Sequence, residues 1–274
     1  MFNKILNNVT KTNPLVHCIT NYVTVNDCAN ILLAASSSPV MADDENEVED
    51  ITSISKALVI NLGTLNTRTI NSMIKAGKKA NELNHPVILD PVGVGASSFR
   101  TSTALTLLRE VKFSVIRGNI SEIKTLLHNT NTTKGVDANE DDAITSSNVD
   151  DAVNIAKALS TKFNTIVAIS GPIDVITDGT KTYLVKNGHK LMSKVTGTGC
   201  MSTAIIGGFC GANYDNLLEA TVTAVCAMGL CGELAYEKII KLDEGTSSYR
   251  TYIIDFMSKM NYNILSGGAK YECR

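Results

Sequence analysis

Five short apolar runs, each cut off by polar residues, constrain this chain more than any other feature. They lie at residues 15–20 before Asn21, 57–62 before Gly63-Thr64, 86–89 before Asp90-Pro91, 113–116 before Arg117-Gly118-Asn119, and 165–169 before Ser170-Gly171. Each is nearly continuous in apolar residues rather than alternating, the pattern of a strand covered on both faces. Between them lie segments of helical period: 25–35, 64–83 with Leu65, Ile70, Met73 and Ile74 on one face, 102–109, 121–128, and 149–163 behind Asn148 as N-cap. Strands that alternate with helices build a parallel sheet with helices on both sides, so the fold class is α/β. A hairpin at 175–176 and 183–185 turns around Asp178-Gly179, and the chain from 199 onward reads as mainly helical.

In such a sheet, ligands bind beyond the carboxyl ends of the strands. The polar stops therefore gather on one edge: Asn21, Gly63-Thr64, Asp90, Arg117 with Asn119, Ser170-Gly171 and the loop at Gly197.

With 274 residues and 44% hydrophobic content, the chain can bury a sizeable core, and a single domain over 1–274 is expected. The polar stretch 128–147 reads as a surface excursion from that domain. Net charge is −2, from 25 basic and 27 acidic residues without a basic patch, which argues against a nucleic-acid partner. The seven cysteines show no zinc spacing, and most sit in apolar helical runs. Reduced thiols in a cytoplasmic protein are the expectation. Neither a signal-peptide pattern nor an uninterrupted 18-residue apolar run is present, so no membrane span is expected.

The strongest chemical signal is Lys194-Val-Thr-Gly-Thr-Gly-Cys-Met. Its glycines let several N–H groups point into one space, and a following helix start adds partial positive charge there. This is an anion cradle with the Cys200 thiol on its rim, suited to a phosphoryl group in transfer. The plainer reading is a helix start with a buried cysteine. No Gly-x-x-x-x-Gly-Lys-Ser/Thr sequence occurs, so the chain is not a P-loop NTPase. Asp90, in Asp90-Pro-Val-Gly-Val-Gly-Ala, either caps its loop or holds Mg²⁺. Glu122, in Asn119-Ile-Ser-Glu122, either pairs with Asn119 at a helix start or joins Asp90 at the metal. Arg117 is either solvated or on phosphate, and Ser170-Gly171 is either a turn or a nucleotide contact. Adjacent strand residues point to opposite faces, so His17 and Cys18 form no dyad. His85, His128 and His189 read as surface residues.

Taken together, Pro14-Leu-Val-His-Cys-Ile-Thr-Asn-Tyr-Val, Ser38-Pro-Val-Met41, Asn61-Leu-Gly-Thr-Leu, the Asp90 motif, Arg117-Gly-Asn-x-x-Glu122, Ser170-Gly and Val195-Thr-Gly-Thr-Gly-Cys resemble the hydroxyethylthiazole kinase family of thiamine salvage, over nearly the whole chain. The resemblance implies a three-layer α/β/α ribokinase-like fold. It also implies ATP- and Mg²⁺-dependent phosphorylation of 4-methyl-5-(2-hydroxyethyl)thiazole, in a homotrimer with the thiazole between subunits. By residue, it implies substrate contacts at Met41, Gly197 and Asn21. ATP contacts fall at Arg117 and Ser170, with Thr196 and Asn119 beside them, and the metal acids are Asp90 and Glu122. The transfer point is Cys200 with Gly197, Thr198 and Gly199. Alternatives are a kinase for another hydroxylated heterocycle, such as a hydroxymethylpyrimidine, or a non-catalytic nucleotide or vitamin sensor. Cys200 stands where sugar-kinase relatives carry a catalytic Asp. Three places depart from the family pattern: Ala35-Ser36-Ser37-Ser38, where Gly-Ala usually precedes Ser-Pro; Gly245-Thr-Ser-Ser-Tyr249, in place of Gly-Pro-Gly-Ser-Phe; and Pro172, in place of Glu.

Overall fold

The computed structural model describes residues 1–128, 144–145 and 147–274. Nearly all of the expected polar excursion therefore lies outside the described residues. The parallel strands are β1 (Leu15–Ile19), β2 (Ser38–Val40), β3 (Ala57–Asn61), β4 (Val87–Asp90), β5 (Val115–Asn119) and β6 (Ile166–Ser170). Antiparallel strands β7 (Asp174–Thr177), β8 (Thr182–Val185) and β9 (Tyr271–Cys273) extend the sheet, in the order β2-β1-β3-β4-β5-β6-β7-β8-β9.

One face carries α1 (Phe2–Thr12), α2 (Val25–Ala34), α8 (Thr198–Gly211), α9 (Leu217–Leu242), α10 (Thr246–Ser258) and α11 (Tyr262–Gly268). The other carries α3 (Val48–Ile54), α4 (Thr67–Glu82), α5 (Ser98–Glu110), α6 (Ile120–His128) and α7 (Val149–Phe163). Strand alternation divides the core between the faces. Val16, Cys18, Val59 and Ile88 pack under α8 and α9, while Ile19, Leu58, Ile60 and Leu89 pack under α3–α7. By length and composition α9 could cross a membrane, but 78% of its apolar window is buried inside the fold, which makes it a core helix.

All five apolar runs become parallel strands, and the hairpin forms where expected. Among the described residues, the α-helices α1 and α3 and the strands β2 and β9 are additional. Strand β2 is only three residues long and β9 lies at the far edge, so neither has the apolar run that marks a central strand. The functional consequence lies in the register. Asn61 pairs with Asp90, and Asn119 pairs with Ser170, so the polar stops line up at the carboxyl edge.

Candidate active site

The first turn of α8 stands over that edge. Gly197 caps it with φ at 88°, and a Cβ there would come within 2.6 Å of the Thr24 methyl. Only glycine meets both conditions. A Cβ on Gly199 would lie 2.7 Å from an Arg117 guanidinium nitrogen, so Arg117 rests directly on the helix start.

Below this turn runs a chain of side-chain amides. The Thr24 hydroxyl donates to Asn21 Oδ1 at 3.0 Å, and Asn21 Nδ2 donates to Asn61 Oδ1 at 3.0 Å. Asn61 Nδ2 donates to Asp90 Oδ2 at 2.9 Å, and the Thr203 hydroxyl donates to the same oxygen at 2.8 Å. Cys200 Sγ accepts from both Asn21 Nδ2, at 3.3 Å, and Asn61 Nδ2, at 3.4 Å. Asp90 Oδ1 is buried without a hydrogen-bond partner among the described residues. An unpaired buried carboxylate oxygen is costly, and a cation would satisfy it.

Glu122 has a different setting. Its Oε1 accepts from Gly93 N at 2.8 Å and its Oε2 from Asn119 N at 2.8 Å, while Asn119 Oδ1 accepts from Glu122 N at 2.8 Å. This reciprocal pair is a capping arrangement. It commits both carboxylate oxygens to backbone donors, leaving only their remaining lone pairs to face a hydrated ion. Burial, reinforced by the Asp90 charge, pushes the Glu122 carboxyl up to about 7. Burial also raises Asp90, against the opposing pull of Arg117, Thr203 and Asn61. Cys200 is raised by burial and then by Asp90, and the Thr24, Asn21 and Asn61 side chains recover only part of this, which favours the neutral thiol.

Two cavities lie near these residues, and the α8 turn lines the larger. The larger, about 570 Å³, is lined by Arg117, Ser170, Asp174, His189, Thr198 and Gly199 among others. The smaller, about 260 Å³, is lined by Cys18, Tyr22, Met41, Ala42, Asn61 and Thr64 among others. Met41 thus falls in one, and Arg117 and Ser170 in the other. Asn21 is buried and lines neither cavity, but bonds Asn61 of the smaller one. Thr196 is exposed and lines neither cavity, and Asn119 is engaged at the α6 start instead.

A sequence profile of the hydroxyethylthiazole kinase family matches residues 6–263. The hydroxyethylthiazole kinase of Clostridium acetobutylicum is 58% identical over 272 residues, covering 99% of each chain. The chain belongs to the hydroxyethylthiazole kinase family. The Desulfovibrio desulfuricans enzyme of that name is 46% identical, with 95% of this chain and 94% of the relative covered. The hydroxyethylthiazole kinase structure from Pyrococcus horikoshii OT3 superposes with a TM-score of 0.88 at 37% identity, covering 100% of this chain and 98% of that one. A Staphylococcus aureus pyridoxal kinase, at 15% identity and TM-score 0.58 over 80% of this chain and 86% of its own, shares the fold. The architecture is the ribokinase-like α/β one expected from the motifs.

Within this family fold, several site residues escaped the sequence reading. Asn61 was visible as the one polar residue in an apolar run, but only register shows that it bridges Asp90 and Cys200. Thr203 lies one helical turn beyond Gly199, a spacing that could have suggested it. Asp174 opens β7 inside the larger cavity, accepting from Gly171 N at 2.9 Å, and burial pushes its carboxyl up to about 7. His189 does more than a surface reading implies. It is partly exposed, but it also lines the larger cavity, stacked on Tyr236 at 3.6 Å with an interplanar angle of 20°.

The departures from the family pattern have structural counterparts. Ser36 carries a left-handed φ of 57°, and the Ser37 hydroxyl is buried without a partner. Tyr249 is fully buried, and its hydroxyl donates to the Gly232 carbonyl at 3.0 Å.

Proposed function

We propose that this kinase transfers the γ-phosphoryl group of ATP to the primary hydroxyl of 4-methyl-5-(2-hydroxyethyl)thiazole, a step of thiamine salvage. The observation that carries this reading is a pair of unequal cavities linked through the site: the first turn of α8 lines the larger, and Asn61, which lines the smaller, donates to Cys200 Sγ in that turn. The larger suits a nucleotide, with the Arg117 guanidinium and the Thr198 and Gly199 amides at its phosphate end. The smaller suits a compact heterocycle, with the Met41 side chain against it.

In this arrangement the alcohol points out of the smaller cavity toward Cys200, and the terminal phosphate points inward from the larger one. Backbone amides at the helix start receive the charge that spreads over the phosphoryl oxygens. Arg117 holds the same oxygens from the side. The transition state of phosphoryl transfer is loose, so positioning the hydroxyl matters more than removing its proton early. A protonated thiol held by two amides fits that task. Cys200 fixes the hydroxyl rather than serving as a preformed thiolate base.

Asp90 Oδ1 fits a Mg²⁺ ion and would hold it, and Glu122 would add negative charge beside it. Among the described residues no group of three or more His, Cys, Asp or Glu side chains could cage a metal, which agrees with the habit of Mg²⁺ to keep waters and phosphate oxygens. Such an ion would neutralise phosphate charge. We further assign a single functional domain, a cytoplasmic location and a homotrimer whose subunit boundary borders the smaller cavity. There Tyr22 and Val23 are 78% and 58% exposed beside it, apolar surface that a neighbouring subunit would cover.

The test is a coupled ADP-release assay with the thiazole alcohol, ATP and Mg²⁺, run beside a hydroxymethylpyrimidine as competing acceptor. Turnover with the thiazole is expected. Its absence, or faster turnover of the pyrimidine, overturns the assignment.

A further inference from the structure

His17 sits midway along β1 with 0% exposure. Strand alternation sends it to the α3 side of the sheet, while Cys18 enters the opposite core. A buried imidazole is costly unless both nitrogens are bonded, and both are. Nδ1 lies 2.9 Å from Thr52 Oγ1 on α3, and Nε2 lies 2.8 Å from the Ala42 carbonyl oxygen. A carbonyl only accepts, so Nε2 carries the hydrogen, and in the neutral ring Thr52 donates to Nδ1. With both nitrogens committed, His17 has nothing left for acid–base work.

The Ala42 carbonyl belongs to the segment between β2 and α3. Its residues Met41, Ala42 and Asp43 form one wall of the smaller cavity, and none of them lines the larger one. The other fasteners of this wall come from α4. Ser72 Oγ donates to the Asp43 carbonyl at 2.8 Å, and the Arg68 guanidinium grips the Asp43 carboxylate at 2.8 Å. That ion pair is 60% and 47% exposed, so it holds weakly. The His17 bond is made from beneath, from inside the sheet.

We propose that His17 is a positioning residue for the acceptor alcohol. Its fixed imidazole ties the wall formed by residues 41–43 to β1 and α3, and so sets affinity for the alcohol without touching the reacting atoms. The inference rests on the assignment of the alcohol to the smaller cavity.

The test compares KM for the thiazole alcohol, KM for ATP, and kcat in His17→Phe, His17→Gln, Thr52→Val and Met41→Ala. Phe keeps the ring shape and loses both nitrogens. Gln can still donate to Ala42 and accept from Thr52. His17→Phe is expected to raise the alcohol KM about 10-fold, mainly through loss of the bond to the Ala42 carbonyl, with ATP KM and kcat within about twofold. His17→Gln should recover most of that loss. A folded His17→Phe with unchanged alcohol KM, a parallel rise in ATP KM, or Gln no better than Phe overturns the proposal. If His17→Phe does not fold, Thr52→Val reads the same link with the ring intact: a selective rise in alcohol KM supports the role, and no change overturns it. Met41→Ala separates the two layers. If it raises alcohol KM while the His17 and Thr52 variants do not, the positioning role fails and the cavity assignment stands. If Met41→Ala also has no effect, the cavity assignment fails and the inference falls with it.

Discussion

Replacing Ser37 by Ala should make this protein more stable, and the structure gives the size of the effect. Ser37 is 2% exposed, its backbone N–H is already bonded to the Leu32 carbonyl at 2.9 Å, and its hydroxyl has no partner among the described residues. It is wedged against Gly208 of α8 and Leu32 of α2. A buried hydroxyl left unpaired costs about 1–3 kcal/mol. Removing one oxygen leaves a void of roughly 15 Å³, which returns only about 0.4 kcal/mol at the usual cavity cost. The desolvation relief wins, with a net gain of about 1.5 kcal/mol. For a chain of this length that is about 3–5 °C in Tm. Ser36→Gly is the control. Relief of its left-handed φ of 57°, worth about 1 kcal/mol, is nearly cancelled by the greater freedom of glycine in the unfolded chain, about 0.4–1 kcal/mol. Thermal melts of the two variants should therefore differ, with Ser37→Ala well above the parent and Ser36→Gly close to it. A melting temperature for Ser37→Ala at or below the parent would refute the reasoning, because it would mean that the hydroxyl is bonded.

Three further outcomes are expected. The Glu122 carboxyl rises from 4.5 to about 7 on folding, so its contribution to stability is full below about 4.5 and is lost as pH climbs through about 7. Melts of metal-free protein across that window should fall with pH and flatten in Glu122→Gln, and an unchanged slope would show that the raised carboxyl does not govern it. Cys200→Ala should lower kcat by about 10- to 100-fold while leaving both KM values nearly constant in steady-state assays, whereas an unchanged kcat would remove the thiol from the transfer step. Tyr249→Phe should cost about 1 kcal/mol in denaturant unfolding, the value of its bond to the Gly232 carbonyl, and a neutral result would mean that this bond contributes nothing net.

The sheet was legible because central parallel strands are buried on both faces, and that demand writes itself as runs such as Ala57-Leu-Val-Ile-Asn-Leu. The ends of those runs marked Asp90, Arg117 and Ser170 as edge residues, and the glycines marked the α8 turn. Edge elements such as β2 and β9 were illegible because a strand with one neighbour needs little apolar sequence. The place of His189 in a cavity wall was illegible because polarity does not tell a solvated ring from one that also stacks there.

Sequence by itself thus determined the fold class, the edge where ligands meet the sheet, and the residue types that gather there, since burial and backbone conformation act locally along the chain. Tertiary structure decided how those residues divide the work. Register set Asn61 between Asp90 and Cys200, left one Asp90 oxygen open, and committed both Glu122 oxygens to backbone N–H groups. Those outcomes depend on distances between residues far apart in the chain, which only the packed sheet and the helix above it fix.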